Sequence, residues 1–346
     1  MKPVGIGVIG CGFVGRGAHV PAMDEMPEAR LVAIADADDR RRAKVAGKYK
    51  LDAAYPEHLA LLANRDVEAV IVAVPTPLHS EVAIAAMEAG KHVLCEMPLA
   101  STIDDVQRMI DVAQRQGVIL MPGLNFRFTP NYVKAKQLID SGSVGDMAAL
   151  TYREWIPATD LAAQWPAGAW MWNIEQSGGP LFTLAVWSID LIRWLTGGEI
   201  VQVHATTNYT RLEKTGGTLG YDAAVAMRMS TGQIASLQYS GSVNHEATIS
   251  ILEVVGNATN VLTATNNDRV ALLADEPSRS EWNVKQPGPR MWGHYQQDVH
   301  FVECVRQGRQ PSIVPDDAVK AMTVAMQIAE ASECIGSPAS SAAVAV

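Results

Sequence analysis

The sequence predicts an α/β protein built as an N-terminal doubly wound parallel sheet followed by a C-terminal α/β domain with a large, open, mainly antiparallel sheet. Three observations carry that expectation. Through the first 124 residues, unbroken apolar runs recur, as strands buried on both faces require. Helix-like stretches separate those runs, the alternation that builds a parallel sheet. After Gly145 the pattern changes: Ala235, Leu237 and Tyr239 alternate with polar neighbours, as in a sheet with one covered face.

The elements follow in order. VGIGVIG (4–10) is the first strand, and 13–26 a helix with an apolar face. LVAIAD (31–36) is the second strand and 38–48 a charged helix. AVIVAV (69–74) and HVLCE (92–96) flank a helix over 79–89 that ends at Gly90, a favoured residue just past a helix. Thr102 and Asp105 resemble a capping box, and Val106, Met109, Ile110 and Ala113 form the stripe of the helix it opens. VILMPGL (118–124) closes the set. Beyond it, strands are expected around 147–156, 200–209, 222–229, 233–240, 247–255 and 259–264. Helices are expected near 180–195, 292–307 and 316–334. The domains are expected at 1–124 and 125–346, with the closing helices packing back on the first.

The 346 residues are 48% apolar and 19% charged, with a net charge of −9 and no basic run. A nucleic-acid partner is therefore disfavoured. No apolar run is long enough to span a membrane, and a first strand at Val4 leaves no room for a signal peptide, so a cytoplasmic location is expected. The four cysteines are scattered, and no cluster has metal-ligand spacing.

GCGFVG (10–15) is a G-x-G-x-x-G between a strand and a helix. Gly10 suits a tight turn, Gly12 a close pyrophosphate and Gly15 close helix–strand packing, with the helix N-terminus facing the phosphates. Asp36 stands at the tip of the second strand, 21 residues past Gly15. A carboxylate there accepts hydrogen bonds from the adenosine ribose and repels a 2′-phosphate. This Rossmann fingerprint points to NAD rather than NADP. Arg40, Arg41 and Arg42 could hold a 2′-phosphate, but read more simply as a solvated helix face.

These motifs together resemble the Gfo/Idh/MocA family. AVPTPLHSEVAIAAMEAGKHVLCEMPLA (73–100) is similar to the family's fourth and fifth strands, which end in a Glu-Lys-Pro signature. GLNFRFTP (123–130), SGGPLFTLAVWSIDLIRWLTG (177–197) and the ending from Tyr295 to Pro311 match further segments. The resemblance implies an NAD-dependent oxidoreductase acting on a sugar or sugar-like cyclic alcohol. It also implies a homo-oligomer, a dimer or tetramer, formed through the open sheet. For the cofactor it implies contacts from Phe13, Val14, Pro75, Thr76, His79, Glu96, Met97 and Asn125, beside the glycines and Asp36. Within the family, NAD-recycling glycoside hydrolases, hemiacetal oxidation and a cofactor-bound sensor are the alternatives.

The departures matter as much. Met97 stands where the signature lysine is usual, Thr183 where aspartate is, and Trp187 where histidine is. Removing hydride from a carbinol requires the hydroxyl proton to leave, and none of these three is a general base. His294 and Tyr295, opening the closing helix, are the preferred replacements, with Tyr152 and Glu154 next. Six of the eight tryptophans fall between 155 and 194. Trp165, Trp172 and Trp187 are expected to line a pocket, with Thr183, Arg127 and Arg153 as further substrate contacts. Arg127 equally suits an ion pair tying the domains, and Arg153 and Glu154 equally suit plain surface charge. His19 reads as structural packing.

Overall fold

The structure, a computed structural model, describes residues 2–157, 170, 177, 180–212, 217–243, 249–257, 260–274, 278–287, 290 and 292–330. It divides into two compact units. The first comprises Met1–Lys134, Asn267–Arg269 and Asn283–Thr323; the second comprises Ala135–Asn266, Val270–Trp282 and Val324–Val346.

In the first unit six strands form one sheet: β1 (Val4–Ile9), β2 (Ala29–Ala35), β3 (Ala54–Tyr55), β4 (Ala69–Val72), β5 (His92–Cys95) and β6 (Leu120–Pro122). Their order is β3-β2-β1-β4-β5-β6, and every adjacent pair is parallel. The strand order reverses between β1 and β4, so a ligand crevice is expected at the C-terminal ends of those two strands. β1 and β4 are buried at every residue, which explains their unbroken apolar runs.

The helices are α1 (Val20–Glu25), α2 (Asp39–Tyr49), α3 (His58–Leu62), α4 (His79–Glu88), α5 (Ile103–Gln116) and α6 (Pro130–Asp140). A π-helical turn over Gly15–His19 precedes α1, where the sequence suggested one regular helix. Thr102 caps α5 by accepting from the Asp105 amide, and Gly117 ends it in the left-handed region. The closing helices are α9 (His294–Gln307) and α10 (Pro315–Glu330). Helix α9 packs on the π-helical turn, α1, β1 and a tight turn over Asn125–Phe128.

The second unit is built on an eight-stranded sheet. Its strands are β7 (Met147–Pro157), β8 (Ile200–Leu212), β9 (Gly217–Met229), β10 (Ile234–Val243), β11 (Ile249–Gly256), β12 (Val261–Thr265), β13 (Arg269–Leu273) and β14 (Arg279–Asn283). Their order is β14-β13-β12-β11-β7-β10-β9-β8. β7 lies in the middle, parallel to β10 and antiparallel to β11. Leu150, Tyr152 and Glu154 face inward under α8 (Val186–Thr196), which lies on β7 and β10. A short α7 (Pro180–Leu184) precedes α8, and Ala185 separates the two. Thr183 and Trp187 therefore do not share one continuous helix, as their spacing suggested.

Candidate functional site

In the first unit, the crevice at the ends of β1 and β4 is shaped by glycines. Gly10 has φ +99°, and a Cβ there would lie 2.4 Å from the Ala73 carbonyl oxygen, so the turn leaves β1 tight against the end of β4. A Cβ on Gly15 would lie 1.9 Å from the Gly10 carbonyl oxygen. Gly12 differs, since a Cβ there meets nothing within 4 Å. The chain itself does not demand glycine at 12; a phosphate brought against the backbone would. Gly15 begins the helical turn, Val14 precedes it, and Phe13 is exposed beside it. The crevice fits a dinucleotide.

Asp36 lies at the end of β2, nearly buried. Its carboxylate accepts from the Cys11 amide at 2.7 Å, the Asp38 amide at 2.7 Å, and Arg41 Nη2 at 3.1 Å. Arg41 and Arg42 thus turn towards Asp36, where the sequence suggested a solvated helix face. Past β4, Pro75 precedes a short turn over Thr76–Leu78, with Thr76 buried. His79 opens α4 with Nδ1 2.8 Å from the Pro98 carbonyl and Nε2 2.8 Å from the Val74 carbonyl. It braces the segments after β4 and β5.

After β5 comes a buried charged cluster that the sequence did not disclose. His19 Nε2 lies 2.9 Å from Glu96 Oε1, and its Nδ1 2.9 Å from Asp298 Oδ2. Burial alone would hold this imidazole down. Asp298 and Glu96 outweigh it and raise it to about 10, so His19 is an imidazolium between two carboxylates. Burial also works to raise Glu96, but His19, supported by His294 and His79, brings it below the usual range. Burial leaves Asp298 raised, against the pull of His19.

His294 sits edge-on to His19, with ring centroids 5.7 Å apart. Burial, opposed by Glu96 and assisted by His19, lowers it to about 4, so it is neutral at pH 7. Gly293 fixes its place. At φ +81° it accepts no side chain, since a Cβ would lie 2.4 Å from the Asn125 carbonyl oxygen. Asn125 Nδ2 donates to the Trp292 carbonyl at 2.7 Å and locks the same corner.

Tyr295, the next residue, turns elsewhere. Its ring stacks under the Arg290 guanidinium at 4.1 Å, in a cleft of about 360 Å³ shared with Pro21, Glu25 and Pro287. Arg127 pairs with Asp317 at 2.9 Å, both within the first unit. Met97 is buried, and its peptide bond to Pro98 is cis.

The second unit holds a separate polar cluster. Glu154 on β7 is buried and accepts a hydrogen bond from Ser188 on α8. Burial raises it to about 7, with Ser188 pulling the other way. Tyr239 lies opposite it on β10, and its buried hydroxyl has no hydrogen-bond partner among the described residues. Tyr152 places its hydroxyl 3.3 Å from Ser250 Oγ. Arg153 points to the opposite face, where Nε donates to Gln238 at 3.1 Å and the guanidinium lies over Trp155. Arg153 and Glu154 therefore do not converge. Thr183 Oγ1 donates to the Ser177 carbonyl at 3.2 Å, and Trp187 is half-buried on α8. Trp165 and Trp172 lie outside the described residues.

The sequence reading did not offer Ser188 or Asp298, and it read Tyr239 only as part of the strand's alternation, not as a site residue. Asp298 had a visible signal, since it falls four residues after His294 on one helical face. Among the described residues, no group of three or more His, Cys, Asp or Glu side chains could hold a metal ion, and no helix is long and apolar enough to cross a membrane.

Comparison with known proteins agrees with this geometry. Residues 4–124 match the oxidoreductase family with an NAD-binding Rossmann fold, and residues 132–260 match the GFO/IDH/MocA C-terminal domain. The chain is 28% identical to myo-inositol 2-dehydrogenase of Thermotoga maritima over 92% of each protein. It is 31% identical to levoglucosan dehydrogenase of Pseudarthrobacter phenanthrenivorans, over 67% of this chain and 61% of that protein. A crystal structure from Thermotoga maritima superposes with TM-score 0.80 at 27% identity, covering 95% of this chain and 97% of that one. A levoglucosan dehydrogenase in complex with NADH and levoglucosan superposes with TM-score 0.81 over 95% of this chain and 97% of that one. At 21% identity that likeness speaks to fold alone.

Proposed function

We propose, from the premise that this chain belongs to the Gfo/Idh/MocA oxidoreductase family, that it oxidises or reduces one hydroxyl of a sugar-like cyclic alcohol with NAD. The observation that carries this reading is the cradle at the end of β1. Gly10 and Gly15 are required by the chain's own packing, while Gly12 is open and Asp36 stands at the tip of β2. NAD, when bound, supplies the hydride acceptor or donor. The chain's residues must hold it, orient it and move a proton.

Two groups suit the proton. Glu154 is buried and His294 half-buried, and among the described residues neither has an ion-pair partner. Burial moves His294 down to about 4 and Glu154 up to about 7. Met97, Thr183 and Trp187 offer no titratable group, which is why the proton falls to residues outside the family's usual three positions. Tyr295 and Tyr152 are the next candidates.

The test is turnover of NAD, followed by the absorbance of reduced nicotinamide, on a panel of inositols, anhydrosugars, monosaccharides and glycosides. Reduction of NAD by a cyclic alcohol is the expected result. Release of an aglycone without net reduction would replace this reading with a NAD-recycling glycosidase. Oxidation confined to hemiacetals would narrow the substrate to those. Tight NAD binding without any turnover would make the protein a sensor and defeat the enzyme reading.

The outer face of the second sheet supports self-association. Ala224, Ala226 and Gln238 lie exposed on adjacent strands, and Ile234 is 59% exposed beside them. This open sheet face mixes small residues with Arg153, Arg228, Gln202 and His204, and its flat small-residue centre supports cover by a second copy. The expected mass by light scattering at micromolar concentration is that of a dimer or tetramer, and a monomer would remove this part of the reading.

A further inference from the structure

Residues paired across the second sheet fall into rows on its inner face, and the rows change character. One row reads Val203, Met227, Ala235, Leu150 and Val254 across β8, β9, β10, β7 and β11. The next reads Ala205, Val225, Leu237, Tyr152 and Leu252, apolar but for the Tyr152 hydroxyl. The third reads Thr207, Ala223, Tyr239, Glu154 and Ser250. Polar side chains thus take over at positions that are core in the two rows beside them, a substitution that a packed interior tolerates only for function.

Part of the third row is already satisfied. Ser188 on α8 donates to Glu154, and Ser250 Oγ lies 3.3 Å from the Tyr152 hydroxyl. Two hydroxyls are not. Tyr239 and Thr207 are each 2% exposed, and neither Tyr239 Oη nor Thr207 Oγ1 has a hydrogen-bond partner among the described residues. Ala223, between them in the row, has no polar side-chain atom to offer either one. A buried unpaired hydroxyl lowers stability, and two in one row need a reason. Burial, with Glu154 and Asp222 adding to it, pushes the Tyr239 phenol up, so it keeps its proton and can donate.

We propose that Tyr239 and Thr207 are specificity-determining residues whose hydroxyls are held in reserve for ring hydroxyls of the substrate, in the same row as Glu154. The inference rests on the reading that the substrate is a sugar-like cyclic alcohol. A ring hydroxyl is both donor and acceptor. It can accept from Tyr239 while donating to Glu154, or pair with Thr207 in either sense. A ring that lacks the matching hydroxyl leaves these groups unpaired, so the row selects a polyhydroxylated ring over a deoxygenated one.

Tyr239→Phe and Thr207→Val delete the two hydroxyls and keep the side-chain shapes. Because both hydroxyls are unpaired in the free protein, each variant is expected to melt about 2–4 °C higher than the wild type. Tyr152→Phe is the contrast, since it breaks a bond already made and is expected to melt lower. Turnover is then measured with an inositol, an anhydrosugar and a monosaccharide, each beside its monodeoxy analogues. On the substrates that the wild type uses, each variant is expected to lose about 10–100-fold in kcat/KM. The analogue lacking the hydroxyl that the deleted group receives should be used equally well by variant and wild type. The proposal is overturned if either variant melts no higher than the wild type, because its hydroxyl then already holds a bond, to a fixed water for instance. It is also overturned by an unchanged kcat/KM, or by an equal loss on every deoxy analogue. A folded wild type that turns over no member of the panel fails at the underlying reading instead, an outcome that the wild type alone reveals.

Discussion

Replacing Glu154 by Gln, or His294 by Ala, is expected to cut kcat by about 10²–10⁴ while leaving NAD affinity nearly unchanged. The size follows from what general acid–base catalysis contributes when no other group substitutes. The two variants test different chemistry. Glu154 is raised to about 7 by burial, so its carboxylate form, the one that accepts a proton, grows in as pH rises through neutrality. If Glu154 is the base for alcohol oxidation, kcat/KM rises with pH through a limb near 7, and the Gln variant loses that limb. His294 is lowered to about 4 and is already neutral across this range, so it imposes no limb near 7. A pH–rate profile thus separates the two candidates before any variant is made. Full activity in both variants would defeat the assignment and move the base to Tyr152 or Tyr295.

His19→Ala should be the most destabilising single change in the first unit, by about 3–5 kcal/mol, because it leaves Glu96 and Asp298 buried and uncompensated. For a unit of this size the loss amounts to roughly 6–20 °C in melting temperature. The pH dependence has a definite sign. The folded-state value of His19, about 10, lies above the ordinary 6.5. Its stabilisation is therefore complete below about 6.5 and fades as pH climbs through 10. His294 contributes the opposite flank. Its folded value is depressed to about 4, so its share is present above 6.5 and is lost as pH falls towards 4. Melting scans of the wild type should thus weaken on both sides of neutrality, and His294→Gln should flatten only the acid side. A His19→Ala protein as stable as the wild type across that range would contradict an imidazolium held between carboxylates.

Much of the architecture could be read from pattern because the pattern had a single physical cause. The runs that became β1 and β4, and β5 after His92, are apolar because both faces of that sheet are covered. Thr102 and Gly117 bounded α5 through their own local bonds. What escaped reading depended on partners distant in sequence. β13 and β14 have five residues each with exposed residues at both ends; β13, RVALL, is too short for its apolar run to declare a strand, and β14, RSEWN, has one apolar residue. β3 has two residues and α6 a modest apolar stripe, so neither stood out. Arg41 is followed by Arg42 on a charged helix and looked solvated, because nothing local announces that Asp36 faces it. Glu154 read equally well as surface charge until α8 was seen to cover β7. The glycines and Asp36 were legible because a tight turn and a strand tip are local features. The Glu96–His19–Asp298 cluster was not, because it joins three segments from opposite ends of the chain.

That cluster also sets a timetable for synthesis. His19 and Asp298 are 279 residues apart, and most of the second unit, Ala135–Asn266 and Val270–Trp282, is translated between Glu96 and Asp298. At cellular elongation rates of 5–20 residues per second, His19 waits roughly 15–55 s on the ribosome before its second carboxylate is made. During that interval the nascent Rossmann sheet lacks α9, so the surface α9 will cover is open to chaperones. Synthesis of Asp298, rather than of the first hundred residues, is the event that completes this cluster.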